Sequence, residues 1–241
     1  MKITDKCKLF LRDIYLYDIT SCHYSILENA GFDVSFLEKD NKKKRNIQIG
    51  MLMRDNSKYT SLLHNTTNSI INEYISINKL KDEEIVTRQY DGIIVTRPLN
   101  ETSLTIKLEL QSNIMIFISS FKRNSYISFD GHNASIKGVS NRYPAVDSLY
   151  HQFLSTTNFI NKSSVFKQMQ KLKDLFLKSD NPNLFCIPSG DDSFIVYLKE
   201  FGDIKISKQT SKILDTDDID REWYFNFYIK PFTQSLVLEF S

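Results

Sequence analysis

The sequence contains little glycine. Only 7 of its 241 residues are glycine, well under half the average usage of roughly 7%, and no two of them have the spacing of a phosphate-binding loop. This shortage excludes a P-loop and a dinucleotide-binding fingerprint, because both hold phosphate with a glycine-rich backbone. A chain of this composition can bind phosphates only through metal ions and basic side chains.

Cysteine and long apolar runs are also scarce. Cys7, Cys22 and Cys186 lie too far apart for a zinc site and are too few for a disulfide scaffold. No apolar run reaches the roughly 20 residues of a membrane-spanning helix, and the charged N-terminal segment MKITDKCKLFLRD lacks the apolar stretch of a signal peptide. We therefore expect an intracellular, cytoplasmic protein with reduced thiols and no membrane partner.

Neither sign of charge dominates the sequence. Thirty-one lysines and arginines against 29 acidic residues give a net charge of +2, so global attraction to nucleic acid is weak. An apolar content of 41% and a charged content of 25% are typical of folded domains and exclude a disordered or collagen-like chain. Any nucleic-acid binding has to come from local clusters such as Lys42–Arg45, although such a charge run is more often only a solvated face.

Apolar periodicity predicts an α+β fold with a subdomain boundary near Pro144. Strands are predicted at 9–19, 84–98, 104–120 and 124–139, and the second of these is a hairpin whose turn holds Tyr90, Asp91 and Gly92. Helices are predicted at 25–31, at about 53–77 and within 146–178. A loop with two prolines follows, and the last helix is interrupted or kinked by Pro231.

Two aspartates stand out by their positions. Asp18 ends an apolar strand and Asp91 lies in the tight turn of an apolar hairpin. Two carboxylates on adjacent strand ends can hold a pair of divalent cations roughly 3.5–4 Å apart, as phosphoryl-transfer enzymes do, and hard oxygen ligands suit Mg²⁺. The alternative is that both are ordinary turn or strand-end residues, and their spacing alone favours that alternative.

The residues around these aspartates resemble two motifs of family B DNA polymerases. The segment Asp18-Ile-Thr-Ser-Cys-His-Tyr-Ser-Ile is similar to the first palm motif, D-x-x-S-L-Y-P-S-I, and shares its aspartate, both serines and the isoleucine. The segment Asp91-Gly-Ile-Ile-Val resembles the end of the third motif, D-T-D-S-I-x-V, so that Gln89 stands where the first aspartate is usual.

Further matches follow in the order of the family. Asn68-Ser69 is similar to the N-S of the finger motif K-x-x-x-N-S-x-Y-G, with His64 at the lysine position. Other similar segments are Lys122, Arg123 and Tyr126 (K-K-x-Y), Lys137-Gly138-Val139 with Arg142 (K-G-V-x-x-x-R), and Asp220-Arg-Glu-Trp-Tyr with Ile229-Lys-Pro231 (the thumb motif D-Y-E-Y-Y-x-x-x-x-L-x-P). The resemblance extends over most of the chain.

The resemblance implies a polymerase-like right hand. Its parts are an antiparallel-sheet palm at 1–39 and 72–145, short helical fingers at 40–71 and a mainly helical thumb at 146–241. We expect no N-terminal or exonuclease domain. The implied activity is addition of nucleotides to a primer 3′ end by two-metal phosphoryl transfer, without proofreading, using primer-template DNA and nucleoside triphosphates.

The resemblance also assigns roles to individual residues. Asp18 and Asp91 are the implied catalytic residues, and with the backbone carbonyl of Ile19 they would hold two Mg²⁺ ions, or Mn²⁺ in their place. Nucleotide contacts are implied for Ser21, His23, Arg54, Lys58, His64 and Asn68. Arg54 and Lys58 join this set because ten residues, close to three turns at ~3.6 residues per turn, separate each from His64 or Asn68; a solvated basic face is the alternative. DNA contacts are implied for Lys122, Arg123, Tyr126, Lys137, Gly138 and Arg142.

Departures from the family pattern leave two further interpretations open. A neutral His64 gives less charge to a triphosphate than lysine would, His23 replaces the residue that excludes a ribose 2′-hydroxyl, and Gln89 removes one carboxylate. The chain is then either a catalytically inactive polymerase-like protein that binds DNA or a partner, or one subunit of a split polymerase that works with another polymerase or replication subunit.

Overall fold

Antiparallel sheets and helices make up the computed structural model, in agreement with the predicted α+β class. The structure describes residues 2–3, 9–37, 41–100, 104–121, 125–138, 144–190 and 192–240. They form two compact units. One comprises residues 13–113 with the strand at 2–3, and the other comprises residues 114–240 with the strand at 9–10.

The strands, in chain order, are β1 (Lys2–Ile3), β2 (Leu9–Phe10), β3 (Ile14–Ile19), β4 (Ile85–Arg88), β5 (Gly92–Val95), β6 (Leu108–Ile114), β7 (Ile116–Ser119), β8 (Tyr126–Phe129), β9 (Ala134–Lys137), β10 (Ile187–Pro188), β11 (Ser193–Leu198) and β12 (Gly202–Ser207). The helices are α1 (Cys22–Asn29), α2 (Lys42–Asp55), α3 (Ser57–Ile77), α4 (Pro144–Thr156), α5 (Lys162–Leu177), α6 (Arg221–Tyr224) and α7 (Lys230–Phe240).

The first unit is a five-stranded sheet with the order β1-β4-β5-β3-β6, packed against α1 and α3. Alternate residues of β5, Ile93 and Val95, join the same buried cluster as Leu63 and Ile70 of α3. This packing follows from strand geometry, since residues two apart lie on one face of a sheet. The predicted hairpin is confirmed as β4 and β5 with residues 89–91 between them.

The long helix predicted at 53–77 is two helices. Asn56 has an extended backbone (φ −147°, ψ 107°), and its side chain accepts a hydrogen bond from the amide of Lys58, so it caps the start of α3. The preceding helix α2 begins at the basic run Lys42–Arg45, for which the sequence predicts no helix. The side chain of an asparagine at a helix start accepts a hydrogen bond from a backbone amide that has no partner within the helix. This cap begins a new helix at Ser57, although the apolar spacing continues across both helices.

The second unit has two sheets and the remaining helices. One sheet has the order β2-β7-β8-β9 and the other β10-β11-β12. Their buried residues share one core with α4, α5 and α7, and aromatic rings dominate it: Tyr150, Phe153, Phe176, Phe185, Tyr224, Tyr228 and Phe232. The hydroxyl of Tyr150 donates to the carbonyl of Tyr228 over 2.9 Å, which satisfies a polar group that would otherwise be buried alone.

The C-terminal helical segment changes its winding just before Pro231. Residues Phe225–Ile229 form a π-helical turn between α6 and α7, and the amide of Lys230 donates to the carbonyl of Phe225. Proline has no amide to donate and its ring crowds the preceding turn, so a wider turn before it accommodates the chain. The interruption predicted at Pro231 is confirmed.

The two units divide the chain at residue 113, whereas the sequence predicts a boundary near Pro144. Strands β7 to β9 share a core with the later helices because Ile118 and Ile127 pack with residues of α4 and α5. The division into palm, fingers and thumb stays a prediction. Among the residues that the structure describes, none of the helices combines the length and apolar character needed to cross a bilayer.

Candidate functional site

Asp18 and Asp91 lie at the same end of two neighbouring antiparallel strands. Asp18 of β3 is opposite Gly92 of β5, and Asp91 immediately precedes that glycine. The amide of Ile19 donates to the carbonyl of Asp91 over 2.8 Å and also lies 2.9 Å from Oδ1 of Asp18. The hairpin pattern and the strand-end position therefore bring together the two carboxylates that the sequence singles out.

Gly92 allows the two strands to approach closely at this point. A Cβ atom at residue 92 would lie 2.4 Å from the carbonyl oxygen of Tyr17 and 3.3 Å from Oδ1 of Asp18. Real Cβ atoms do not approach backbone oxygen so closely, so any larger residue would displace β3 from β5. The site requires glycine at residue 92, because a displacement of β3 would also move Asp18.

A cavity of about 220 Å³ opens beside the aspartates. All the residues lining it belong to the first unit: Asp18, Ile19, Thr20, Ser21, Cys22, His23, Tyr24, Arg45, Asn46, Ile49, Asp91 and Gln111. The aspartates come from the sheet, residues 20–24 from the start of α1, and residues 45–49 from α2. Five residues with implied roles, Asp18, Ile19, Ser21, His23 and Asp91, therefore meet at one cavity.

The start of α1 forms one wall of the cavity. Ser21 caps this helix in the left-handed conformation (φ 50°, ψ 40°), which is uncommon for a residue other than glycine. Its side chain makes no capping hydrogen bond and instead accepts one from Nη2 of Arg45 at 3.2 Å. The first-turn amides of a helix have no partners within the helix, so this wall presents hydrogen-bond donors near residues 22–24.

Arg45 supplies a buried positive charge to the same cavity. It is only 9% exposed, and its guanidinium lies 5.7 Å from the ring centroid of Tyr24. A buried arginine stays charged, and Arg45 lines the cavity, so its positive charge lies at the site. The interpretation of Lys42–Arg45 as a solvated face is wrong for Arg45. The basic run signals positive charge, but only the register of α2 shows that its fourth residue points inward.

Two histidines flank Tyr90 beside the cavity. The Tyr90 ring centroid lies 5.5 Å from that of His23 and 6.0 Å from that of His64. His64 also lies 3.0 Å from the side-chain amide nitrogen of Asn68. Burial lowers the pKa of His23, against the opposing effect of the Asp91 charge, so this side chain favours its neutral form.

The pKa of the Cys22 thiol depends on burial and on the charges of the two aspartates. Its pKa is raised to about 11, first by burial and further by the charges of Asp91 and Asp18, although a contact with the Thr67 hydroxyl lowers it. Both aspartate charges therefore act on the Cys22 sulfur. Burial also raises the pKa of Tyr90, and the Asp91 charge adds to this effect. Arg45 brings a positive charge to the lining of the same cavity.

The site offers a small set of oxygen donors for the implied metal ions. Among the described residues, no group of three or more histidine, cysteine, aspartate or glutamate side chains is arranged to hold a metal. Asp18 and Asp91 with a backbone carbonyl provide hard oxygen donors, which suit Mg²⁺ when it completes its coordination with waters and substrate phosphates. The residues fit such a shared ion and do not fit a closed, all-protein metal site.

The remaining residues with implied nucleotide contacts lie outside the cavity lining. Arg54 ends α2, whereas Lys58, His64 and Asn68 belong to α3. The common helical face predicted for Arg54 and His64 is wrong, because Asn56 separates the two helices. All four residues are exposed. His64 lies beside Tyr90, and Asn68 contacts His64. The nucleotide-binding roles of the four stay predictions.

Residues with implied DNA contacts belong to the second unit. Tyr126 is 1% exposed, and its ring stacks on Phe117 with centroids 4.8 Å apart, so the ring packs in the core. Lys137 is exposed at the end of β9, and Gly138 follows it with a positive φ of 77°. Lys122, Arg123 and Arg142 lie outside the described residues. The DNA-binding roles stay predictions.

Sequence reasoning missed several residues of the site besides Arg45. Asn46, Ile49 and Gln111 line the cavity, and Glu109 of β6 accepts a hydrogen bond from the Thr20 hydroxyl. Glu109 and Gln111 reach the site because β6 occupies the edge of the sheet beside β3. No local pattern in the sequence indicates that pairing.

Comparisons with known proteins add a distant structural similarity. No protein-family model and no curated protein matches the sequence. Among solved structures, the chain is similar to the family B DNA polymerase from the hyperthermophilic archaeon Pyrobaculum calidifontis, with a TM-score of 0.47 and 9% sequence identity. The alignment covers 95% of this chain and 45% of that chain, so this chain spans less than half of that polymerase. Similarity at this level indicates a distant structural relationship only, and neither a family nor an activity follows from it.

Proposed function

We propose that this protein is a nucleotidyltransferase that adds nucleotides to the 3′ end of a nucleic-acid primer. The observation that carries the proposal is the convergence of Asp18 and Asp91 on one cavity, at the strand ends that their polymerase-like motifs imply. The lining of the same cavity also contains a buried arginine, Arg45, and the start of helix α1. Paired carboxylates in one cavity with donors for phosphate are the arrangement that phosphoryl transfer requires.

The size of the cavity indicates which part of a nucleotide it would hold. Its volume of about 220 Å³ is smaller than the ~300–1,000 Å³ of pockets that enclose a whole drug-sized ligand. A triphosphate group, with its base and sugar outside, matches that space better than an entire nucleotide. Amides at the start of α1 would donate to phosphate oxygens, and Arg45 would offset their negative charge.

Arg45 is central to this proposal because the finger motif lacks its lysine. A guanidinium can bind two phosphate oxygens at once, and its charge is independent of pH in the physiological range. The hydrogen bond to Ser21 at 3.2 Å fixes the guanidinium beside the start of α1. Arg45 would therefore provide the charge that is missing when His64 replaces lysine.

Asp18 and Asp91, with the carbonyl of Ile19, would hold the divalent cations. When bound, two Mg²⁺ ions would lower the pKa of the primer 3′-hydroxyl and neutralise the triphosphate and the departing pyrophosphate. The pairing of Ile19 with Asp91 would keep the carboxylates at a fixed separation. His23, Tyr90 and His64 would lie beside the sugar and base, at the outer side of the cavity.

The second unit would contact the primer-template duplex in this proposal. Its exposed Lys137, the residues Lys167 and Lys171 on the polar side of α5, and Lys178 just after that helix would provide positive charge for phosphates. The units would then correspond to parts of a right hand, with helices α2 and α3 as short fingers. Such contacts make binding of the duplex sensitive to salt.

Primer extension tests the proposal directly. Purified protein is incubated with labelled primer on DNA and on RNA templates, with deoxynucleotides or ribonucleotides, and with Mg²⁺, Mn²⁺ or a chelator. We expect template-dependent extension that requires a divalent cation. Absence of incorporation under every combination would contradict the proposal, provided that circular dichroism shows the expected mixture of helix and strand.

A polymerase-like protein without catalysis is the second candidate function. The cavity lining contains two carboxylates, and Gln89 occupies the position of a third carboxylate in the resembled motif. This observation favours the second candidate. This candidate predicts salt-sensitive DNA binding and no incorporation. The first candidate predicts incorporation and also Mg²⁺-dependent binding of nucleoside triphosphate in the absence of DNA. Equilibrium titration with a fluorescent triphosphate therefore separates the two candidates.

A further inference from the structure

A side-chain hydrogen bond joins the edge strand β6 to the start of α1. The carboxylate of Glu109 accepts it from the hydroxyl of Thr20, which is 89 residues away in the chain. Thr20 directly follows β3 and precedes Ser21, the residue that caps α1. Both partners of the bond are exposed, so the contact is not a by-product of core packing. It connects the edge of the sheet to the turn that leads into the cavity wall.

The bond lies on the face of β6 that borders the candidate site. Residues two apart share one face of a strand, so Glu109 lies on the same face as Gln111, which lines the cavity. Thr20 lines this cavity as well. Within the described part of the chain, Glu109 does not join Asp18 and Asp91 in a group of three that could hold a metal ion. Its carboxylate therefore supports the turn rather than the implied metal pair.

The turn after Thr20 has a backbone conformation that needs support. Ser21 lies in the left-handed region (φ 50°, ψ 40°), and its side chain does not cap α1. A residue other than glycine persists in this region when the surrounding contacts over-determine its conformation. The supporting contacts come from different elements: the Ser25 hydroxyl donates to the carbonyl of Thr20 over 3.0 Å, Arg45 donates to Ser21, and Thr20 donates to Glu109. The last of these holds the turn from the side of β6.

The conformation of this turn sets the direction of the first amides of α1. These amides have no partners within the helix, and in the proposed function they donate to phosphate oxygens. The amides of residues 22–24 follow Ser21 directly in the chain, so a rotation of the backbone at Ser21 would turn them relative to the cavity. Relaxation of Ser21 to an ordinary backbone conformation would therefore redirect the donors that the phosphates need.

We propose that Glu109 is a positioning residue for the phosphates of a bound nucleoside triphosphate: it holds Thr20, and thereby the amides at the start of α1, at the cavity wall. This role rests on the proposed function, because it concerns the same cavity. Positioning and simple electrostatics predict opposite effects. A carboxylate beside a phosphate site repels the phosphates, so removal of Glu109 would tighten binding if only its charge acted. Removal of a positioning contact weakens binding instead.

Equilibrium titration of the full-length protein with a fluorescent ATP analogue and Mg²⁺, without primer, measures the effect. We expect Glu109→Ala and Thr20→Val each to weaken binding about five- to tenfold, which corresponds to the net contribution of one hydrogen bond. The conservative variants Glu109→Gln and Thr20→Ser keep an accepting carbonyl and a hydroxyl, so their affinity should stay within about twofold of the original. Glu83→Ala, at an exposed carboxylate of the same unit, is the control and should leave the affinity unchanged.

A double variant shows whether the two residues act as a pair. Thr20→Val combined with Glu109→Ala should bind the triphosphate about as tightly as either single variant, because both substitutions remove the same contact. In primer extension, the KM for the nucleotide should rise about five- to tenfold in each single variant, while the affinity for primer-template DNA should not change. A loss of folded protein would not produce this difference, and circular dichroism verifies that each variant keeps its content of helix and strand.

Several results would overturn the positioning role. Triphosphate binding by Glu109→Ala or Thr20→Val that is as tight as in the original protein, or tighter, would overturn it and leave the proposed function intact. Binding by Glu109→Gln as weak as that by Glu109→Ala would assign the effect to the charge of Glu109, and additive losses in the double variant would show that the two residues act separately. Absence of triphosphate binding by the original protein would instead contradict the proposed function, and the positioning role with it.

Discussion

The backbone amide of Ile19 donates a hydrogen bond to the carbonyl oxygen of Asp91 over 2.8 Å. This bond joins the end of β3 to the turn before β5, and so it fixes Asp91 relative to Asp18. The chain separates the two aspartates by more than 70 residues, yet strand pairing makes them neighbours. The chemistry proposed for the site depends on the integrity of this pair of strand ends.

The variant Gly92→Ala should lower the free energy of unfolding by about 1–3 kcal/mol, the usual cost of overpacking. Its Cβ atom would lie 2.4 Å from the carbonyl oxygen of Tyr17, so β3 and β5 must separate. Urea denaturation followed by circular dichroism measures the change. Any incorporation activity should fall as well, because the displaced segment carries Asp18.

Gly50→Ala is the matched control for that substitution. Gly50 lies within α2, and apart from its chain neighbours and the adjacent helix backbone no atom would lie within 4 Å of a Cβ at this position. Alanine in an unobstructed helical position should raise the free energy of unfolding by roughly 0.5–1 kcal/mol. Opposite signs for the two glycine substitutions are expected; equal destabilisation would contradict the close approach at Gly92.

Arg45→Met should weaken the binding of nucleoside triphosphate by about 10-fold to 100-fold, since hydrogen bonds to charged groups contribute ~1.5–3 kcal/mol. Methionine keeps most of the buried volume and removes the charge. Titration with a fluorescent triphosphate and Mg²⁺, without primer, measures the affinity. Lys44→Met is the control, because Lys44 is exposed one residue away, and an equal loss in both variants would contradict the role of Arg45.

His23 should make stability depend on pH below about 6.5, the ordinary pKa of histidine. Burial lowers its pKa in the folded protein, so the unfolded chain binds the proton more readily. The free energy of unfolding should therefore fall as the pH drops from about 6.5 through the lower folded pKa, and His23 should contribute no dependence above that range.

The matching measurement compares urea denaturation at about pH 7.5 and about pH 5.5. His23→Gln should lose less stability between these values than the original protein. If His23→Gln keeps the full pH dependence, a different group is responsible.

Trp223, the one tryptophan of the chain, should report on the second unit. Its ring stacks on Tyr197 with an interplanar angle of 11° and on Phe227 with centroids 5.0 Å apart. Tyr197→Leu should lower the free energy of unfolding by about 1 kcal/mol, the extra contribution of an aromatic pair, and should change the tryptophan emission. Phe201→Leu, at an exposed hairpin tip, should change stability by less than about 0.5 kcal/mol.

Local patterns predicted the strand-end and turn positions of Asp18 and Asp91, and the resemblance to polymerase motifs singled out the pair. The apolar strand before Asp18 and the tight turn around Asp91 are features of short segments, and the antiparallel pairing of β3 with β5 then places the two residues together. The strands β7, β8 and β9 and the helices α4 and α5 also agree with the sequence prediction, since alternation and helical spacing are clear there.

Other features depended on contacts that no short segment contains. The inward orientation of Arg45 depends on how α2 packs, and the presence of Gln111 depends on the position of β6 in the sheet. The break at Asn56 is a capping effect within an otherwise continuous periodicity. No strand was predicted at β11, although Ser193–Leu198 contains apolar and β-branched residues and Gly202 follows in a turn.

Single-nucleotide incorporation by Asp18→Asn and Asp91→Asn tests the central claim most directly. Asparagine keeps the shape of each side chain and removes the negative charge that a metal ligand needs. Glu83→Gln, at an exposed carboxylate of the same unit, is the control. We predict that each aspartate variant loses at least about a thousandfold in rate, equivalent to ~4 kcal/mol, while the control retains full activity. Incorporation at the original rate by either aspartate variant would contradict the claim that these two carboxylates carry the reaction.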